Sequence, residues 1–459
     1  MEIKKFQRIA IAGIGGDSGK TFVSCGLARA FVEDGIEVRT FKKGPDYIDP
    51  AWLSLASGFV TRNYDTYLME KATIQKNFVK NATGDGLNLL EGNRGLYDGF
   101  DSEGSHSTAE LAKLLGFPVI LVVPVSKVTR TVAAIVYGCK KFDENLNLSG
   151  VILNQVANKR QEKIIRESVE ELGVPIVGAI PVIKDFSMPS RHLGLITPSE
   201  YDNAEISVRK ASEIIRKYVD LNKVREIAES TKELDVEING QNGIFKTDLK
   251  IGVFKDKVFT FYYVENLEAL SRSADLVEIS SLSDKALPEI DALYIGGGFP
   301  ETNIELLSAN SELMKSLKDR IEMGLPVYAE CGGFMYLCDS IDIDGRHYNL
   351  TGVFPIKLKM NKKPQGHGYA EVTVRQNNPF FPAGLRVKGH EFHYSGIDEI
   401  TGDLEFGYVV NRGNGIFEKM DGVVYKNVLA SYLHIHSEGC ADWSKGLINA
   451  AARYKNLRN

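Results

Sequence analysis

The stretch RIAIAGIGGDSGKTFVSCGLARAF, residues 8–31, reads as a buried strand, a glycine-rich loop and a helix in direct succession. Arg8–Ala12 form a short, mainly apolar run. Gly13, Gly15, Gly16 and Gly19 then lead into Lys20 and Thr21. Backbone N–H groups of such a loop wrap phosphate oxygens at a helix N-terminus. The lysine reaches the β- and γ-phosphates, and the threonine hydroxyl ligates Mg²⁺. Gly16, Gly19, Lys20 and Thr21 are therefore expected to bind ATP, with Thr21 also on the metal. The first glycine stands one residue earlier than in the usual phosphate-loop spacing. A glycine-rich turn without nucleotide is the plainer reading, but it gives no reason for a strand before and a helix after.

Working outward, short apolar strands alternate with longer amphipathic stretches, the pattern of a parallel sheet covered by helices. Further strands are expected at Val38–Phe41, Leu87–Leu90, Val119–Val123, Val151–Leu153 and Ile176–Ala179. The segment from Asp220 to Gly243 is polar and highly charged and reads as a helix end plus linker. The alternation restarts at Lys250–Val253, Leu293–Ile295 and Pro326–Ala329, before a β-rich section containing YAEVTV, RVKGHEFHY and GYVV. The expectation is two doubly wound α/β domains, residues 1–220 and 248–459, joined by a linker over 221–247.

Acidic residues gather at strand ends near the phosphate loop, where open α/β sheets bind ligands. Asp46 and Asp49 lie in FKKGPDYIDPAW (41–52), and Glu91 opens EGNRGLYDG (91–99), which also holds Asp98. Mg²⁺ prefers oxygen ligands, so Thr21, Asp46 and Glu91 are the candidate metal set. Singly, each acid reads as a solvated loop residue. Arg191 and His192, in PSRHLGLITPSE (189–200), are candidates to meet an anionic substrate, with a surface loop as the equal alternative.

The second chemical signal is LPVYAECGGFMYL, residues 325–337. A cysteine between a strand and a helix, followed by two glycines, sits on a sharp turn like a hydrolase nucleophile. A helix N-terminus behind the sulfur is expected to favour thiolate. Read as a buried core residue, Cys331 leaves the glycine pair without purpose. A thiol nucleophile needs a base and oxyanion donors. His434, first after the apolar run in VLASYLHIH (428–436), is the candidate base, and His436 shares its side of the strand. His390 and His393, in GHEFHY, stand further from any such strand end. The loop YIGGGFPE (294–301) offers Gly297 and Gly298 as donors.

Bulk properties narrow the class. The chain has 459 residues, 43% hydrophobic and 25% charged, with a formal charge of −5. That balance gives no electrostatic reason to expect nucleic-acid binding. No apolar run is long enough to span a membrane, and MEIKKFQRIAIAG does not read as a signal peptide. The five cysteines are scattered and without a CxxC pair, which points to a reducing cytoplasm.

Taken together, the phosphate loop with long glycine spacing, FKKGPDYIDP, EGNRGLYDG, SRHLGL, GGGFPE, YAECGGFMYL and SYLHIH resemble, in this order, the cobyrinic acid a,c-diamide synthase family of glutamine-dependent amidoligases. The front half also resembles dethiobiotin synthetase, and the rear half the triad (class I-like) glutamine amidotransferases. The resemblance implies a two-site enzyme. Cys331, activated by His434 with Gly298 near the oxyanion, would attack the glutamine amide and release ammonia. Lys20, Thr21, Asp46 and Glu91 would hold Mg·ATP while a substrate carboxylate takes the γ-phosphoryl group. Ammonia, protected by passage between the domains, would then displace phosphate. The implied acceptor is a carboxylated tetrapyrrole: cobyrinic acid, amidated at its a and c acetates, or alternatively siroheme or nickel-sirohydrochlorin. It would be met by Asp46, Tyr47, Asp49, Asp98, Arg191 and His192. A homodimer is the candidate assembly.

One departure from the triad pattern stands out. The glutamate expected two residues after the histidine is His436, so the third member is absent or comes from Glu438 or elsewhere. Two competing readings remain. One is a phosphate-loop regulatory ATPase carrying an inactive amidotransferase-like domain. The other is a biotin-pathway-like enzyme with no need of glutamine, which leaves the rear domain without a use.

Overall fold

The computed structural model describes residues 2–184, 186, 188–191, 194–236 and 246–458. The chain divides into two compact units, residues 1–240 and 241–459.

The front unit is built on a seven-stranded parallel sheet. In spatial order its strands are Arg62–Tyr64, Val38–Lys43, Leu87–Glu91, Gln7–Gly13, Val119–Pro124, Leu148–Val156 and Ile176–Pro181. The central members are buried along nearly their whole length rather than on alternate residues, as strands covered on both faces are; Ile9, Ile11, Leu89, Ile120, Val122 and Ile152 are fully buried. The first strand lies between Leu87–Glu91 and Val119–Pro124, where strand order reverses. A crevice opens at such a point beyond the carboxyl ends of the strands.

The linker expected from residue 221 begins later. Helix Leu221–Glu229 buries Val224 and Ala228 in the same core as Ile9 and Ile215. Strand Leu234–Val236 pairs with Glu2–Lys4. Two buried apolar positions per two turns suffice to hold that helix on the sheet, although its exposed face is charged enough to read as linker.

The rear unit starts as a parallel sheet in the order Asp275–Ile279, Lys250–Phe254, Ala292–Ile295, Val327–Glu330 and Val428–Ser431. It continues antiparallel through Met420–Tyr425, Glu405–Arg412, Gly366–Val374 and Arg386–His393, ending on the two-residue strand His434–Ile435. That last pairing places His390 opposite His434. The long antiparallel excursion thus returns GHEFHY to the end of the Val428–Ser431 strand. No helix among the described residues is long and apolar enough to cross a membrane.

Candidate functional site

At the front, helix Lys20–Glu33 follows the loop directly, with Gly19 at its start in the left-handed region (φ 88°). A Cβ on Gly19 would drive into the Asn154 amide, which itself donates to the Ser18 carbonyl (3.0 Å). Gly19 is therefore required twice, for conformation and for space. Gly16 has open space around it. The Lys20 ammonium folds back onto the Gly15 carbonyl at 2.9 Å. A cavity of about 830 Å³ opens here, lined by Lys20, Thr21, Lys42, Asp49, Arg94 and Asn154 among others.

Lys42 organises the acids behind this cavity. Its ammonium, 1% exposed, lies 2.5 Å from Asp49, 2.8 Å from Glu91 and 3.6 Å from Asp46. Burial alone would lower the Lys42 pKa, but Asp49, Glu91 and Asp46 outweigh it and raise the pKa well above the ordinary value. Burial raises Glu91 against the pull of Lys42. Burial would raise Asp49 too, but its close contact with Lys42 holds it low. Asp46 is pushed up to about 7 by desolvation and by Asp49. Lys20 is lowered by burial and by the nearby Lys42 charge.

The fit to a metal is specific. Glu91 Oε1 accepts from both the Thr21 hydroxyl and Lys42 (2.8 Å each), whereas its buried Oε2 has no hydrogen-bond partner. A hydroxyl and one uncommitted carboxylate oxygen beside a phosphate loop suit Mg²⁺, which takes few protein ligands and completes its shell with phosphates and water. Asp46, expected as a third ligand, is committed elsewhere. Its Oδ1 accepts the Ile48 and Asp49 N–H groups (2.9 and 3.1 Å) and its Oδ2 faces Lys42. Among the described residues no three acids, histidines or cysteines form a metal cage.

The other expected substrate residues divide. Tyr47 immediately precedes helix Ile48–Ser57. Asp98 does not line the main cavity, although its loop touches the phosphate loop where the Leu96 N–H donates to the Gly13 carbonyl (2.8 Å). It accepts the Gly95 N–H (2.8 Å) and lines a separate cavity of about 670 Å³ with Asp101, Glu103 and Lys113. Arg191 belongs to a short strand paired with Gly194–Leu195, and Leu195 lines the main cavity. His192 lies outside the described residues. Arg94, unassigned from sequence, lines that cavity from a left-handed backbone (φ 50°), the kind of strain that collects at ligand sites.

At the rear, the strain is on Cys331 itself (φ 49°, ψ −102°), and neither Gly332 nor Gly333 has positive φ. The two glycines are needed for close packing instead. A Cβ on Gly333 would come 2.5 Å from the Ile295 carbonyl oxygen. One on Gly332 would lie 3.1 Å from Pro300 and 3.2 Å from the Gly298 nitrogen. Cys331 is 5% exposed, and its thiol rests on the Phe392 carbonyl at 3.7 Å. Burial pushes the thiol pKa upward, with Glu301 adding to it. At the start of the six-residue helix behind it, Gly332–Leu337, the Gly332 N–H pulls the pKa down, but burial outweighs it, against the expectation of a favoured thiolate.

His434 and Cys331 stand at the ends of adjacent parallel strands: Glu330 pairs with Ser431, whose carbonyl accepts the Cys331 N–H at 2.7 Å. The His434 ring stacks on His390 (centroids 4.8 Å apart, 16° between planes). Its edge crowds Gly297, where a Cβ would meet Cε1 at 2.5 Å. Gly298 is compelled as well, because a Cβ there would strike the Val258 carbonyl oxygen. His434 Nδ1 faces the Glu330 carboxylate at 3.6 Å, and His436 Nε2 faces Glu265 at 3.6 Å. Glu438, one candidate for a third member, points to Arg272 (3.9 Å). His393 stacks on Tyr432 at 3.5 Å, and burial lowers its pKa to about 4.

The two units match two family models. One, the CobQ/CobB/MinD/ParA nucleotide binding domain, matches residues 9–196, and the other, the CobB/CobQ-like glutamine amidotransferase domain, matches residues 250–441. The cobyrinate a,c-diamide synthase of Magnetococcus marinus is 40% identical over 448 residues, 96% of this chain and 96% of that protein. The protein of that name from Archaeoglobus fulgidus is 42% identical over 432 residues, 94% of each chain. That from Methanothermobacter thermautotrophicus is 37% identical over 444 residues, 95% of this chain and 98% of that one. Likeness of this extent, over a phosphate loop and a strained cysteine turn in one chain, shows that the chain belongs to the cobyrinate a,c-diamide synthase family of glutamine-dependent amidoligases.

Proposed function

We propose that this protein amidates the a and c acetate carboxylates of cobyrinate, with ATP activating each carboxylate and glutamine supplying the nitrogen. The observation that carries the reading is the presence, in one chain, of the Lys20–Thr21–Glu91–Lys42 cluster beside a phosphate loop and of Cys331 on a strained turn next to the His434 strand end.

In this reading Cys331 gives its proton to His434 while Sγ bonds to the glutamine side-chain carbonyl carbon. The oxyanion is received by backbone amides of the Gly297–Gly298 loop. The C–N bond breaks and ammonia leaves with the proton from His434. Water then hydrolyses the thioester to glutamate. At the front, Lys20 and the loop amides hold the ATP phosphates, and Thr21 with Glu91 would hold Mg²⁺. When bound, Mg²⁺ supplies charge neutralisation to the phosphate oxygens. Lys42, which lines the cavity beside Asp49, faces the charge that develops on the transferring phosphoryl group. The substrate carboxylate attacks the γ-phosphorus and ADP leaves. Ammonia then attacks the acyl carbon and phosphate leaves, giving the amide. Tyr47 and Asp49 face the acceptor, with Arg94 at the cavity wall to meet its carboxylates.

The assay supplies ATP, Mg²⁺ and glutamine and offers cobyrinic acid, siroheme and nickel-sirohydrochlorin in separate reactions, read by mass spectrometry. Two successive carboxyl-to-amide mass changes on cobyrinic acid are expected. Amidation of one of the other two with cobyrinic acid untouched would overturn the acceptor assignment.

A further inference from the structure

We propose that Glu330, the residue immediately before the nucleophile, is the missing third member of the Cys331–His434 site. It holds His434 with the proton on Nδ1, so that Nε2 is the atom that receives the thiol proton. The inference rests on the glutaminase reading above.

Three observations converge on it. First, the positions where sequence would look are otherwise engaged. His436 occupies the place two residues after the base and pairs with Glu265 at 3.6 Å. Glu438 reaches Arg272, and its backbone N–H goes to His436 Nδ1 at 3.3 Å. Second, Glu330 is held in place. It is 1% exposed; Oε1 accepts the Ile435 N–H at 3.1 Å and Oε2 accepts the Tyr294 hydroxyl at 3.0 Å. Ile435 adjoins His434, so carboxylate and base are fixed to each other through the backbone as well as through space. Third, Oε2 lies 3.6 Å from His434 Nδ1, while His390 stacks on the ring face. One neighbour sets the plane of the imidazole and the other sets its rotation within that plane.

The 3.6 Å separation is ion-pair range rather than a hydrogen bond. Such contacts shorten once charge forms on the ring. When the Cys331 proton moves to Nε2 and Sγ bonds to the glutamine carbon, the ring becomes imidazolium against a buried carboxylate. Glu330 takes no proton in this step, as the acid of a hydrolase triad does not. Asn266 supports the arrangement: its amide N–H donates to the Ile435 carbonyl (2.8 Å) and its oxygen accepts the Ser437 N–H (2.7 Å). Glu330 is thus a positioning residue, acting through His434.

The test is steady-state glutaminase kinetics on the full chain, with Cys331→Ser as the blank. Glu330→Gln should lower kcat about 100-fold while leaving the glutamine KM within about twofold. Glu330→Asp, which keeps the charge on a shorter arm, should recover part of that loss. Tyr294→Phe, which removes a donor to Oε2 without altering charge, should lower kcat at unchanged KM and guards against a Glu330→Gln that fails to fold. Amidation driven by added ammonia should be unaffected in all three. The inference is overturned if Glu330→Gln keeps kcat near wild type. It is equally overturned if the Gln and Asp variants lose activity alike with a matching rise in KM, which would mark a purely structural acid. Absence of glutaminase activity in the wild type would instead refute the site reading beneath it.

Discussion

Lys42 lies 1% exposed among three carboxylates, with Asp49 at 2.5 Å and Glu91 at 2.8 Å. Removing one partner of a buried ion pair leaves an uncompensated charge, whereas replacing the pair can be nearly neutral. Lys42→Met should therefore destabilise the front unit by about 3–5 kcal/mol in urea unfolding and abolish ATP turnover. Adding Glu91→Gln should recover part of the stability and none of the turnover. Additive losses in that double-mutant cycle would contradict the pairing. The acids here were legible in GPDYIDP and EGNRG because they cluster beside a phosphate loop. Lys42 was not, since a lysine at a strand end ordinarily reads as solvated. At the rear, Cys331 was legible through its glycine pair. The burial of its thiol was not, because burial is a property of the packed site.

At the scale of elements, the two glycine loops of the proposed sites leave no room for side chains at Gly19 and Gly298. Gly19→Ala meets both a positive φ and the Asn154 amide, so nucleotide binding should fall steeply in a titration monitored by calorimetry. Gly298→Ala meets the Val258 carbonyl, a backbone atom that cannot swing away, and should remove glutaminase activity while ATP binding persists. Asp421 ties strand Met420–Tyr425 to Tyr432 through Oδ1, which accepts the Gly422 and Tyr432 N–H groups (2.6 and 3.2 Å). Its carboxyl, 1% exposed, is pushed up to about 8 by burial, with Glu391 adding to it. The folded state then binds a proton that the unfolded state has released between about pH 4 and 8, so this group's contribution to stability declines as pH rises through that window. Asp421→Asn keeps the acceptor oxygen and removes the titration. It should flatten the decline and leave the rear unit more stable than wild type at pH 8, read as urea midpoints at pH 5 and pH 8. The parallel strands were legible as apolar runs. The arrival of His390 opposite His434 was not, because it depends on antiparallel pairings across tens of residues that no local pattern announces.

At the scale of the whole chain, the proposed reaction divides into two half-reactions, one for each compact unit. The order of motifs made that division legible. The boundary was less so, because helix Leu221–Glu229 hides two core contacts in a charged segment. Lys20→Ala should stop ATP turnover and leave glutamine hydrolysis in place. Equal loss of both would show that the sites work only together. The most direct measurement compares wild type with Cys331→Ser in the presence of cobyrinate, ATP and Mg²⁺, with either glutamine or ammonia as nitrogen source, and reads the amidated product by mass. The account predicts product from the wild type with both sources and from Cys331→Ser with ammonia only. Undiminished use of glutamine by Cys331→Ser, or no product from the wild type with either source, would contradict it.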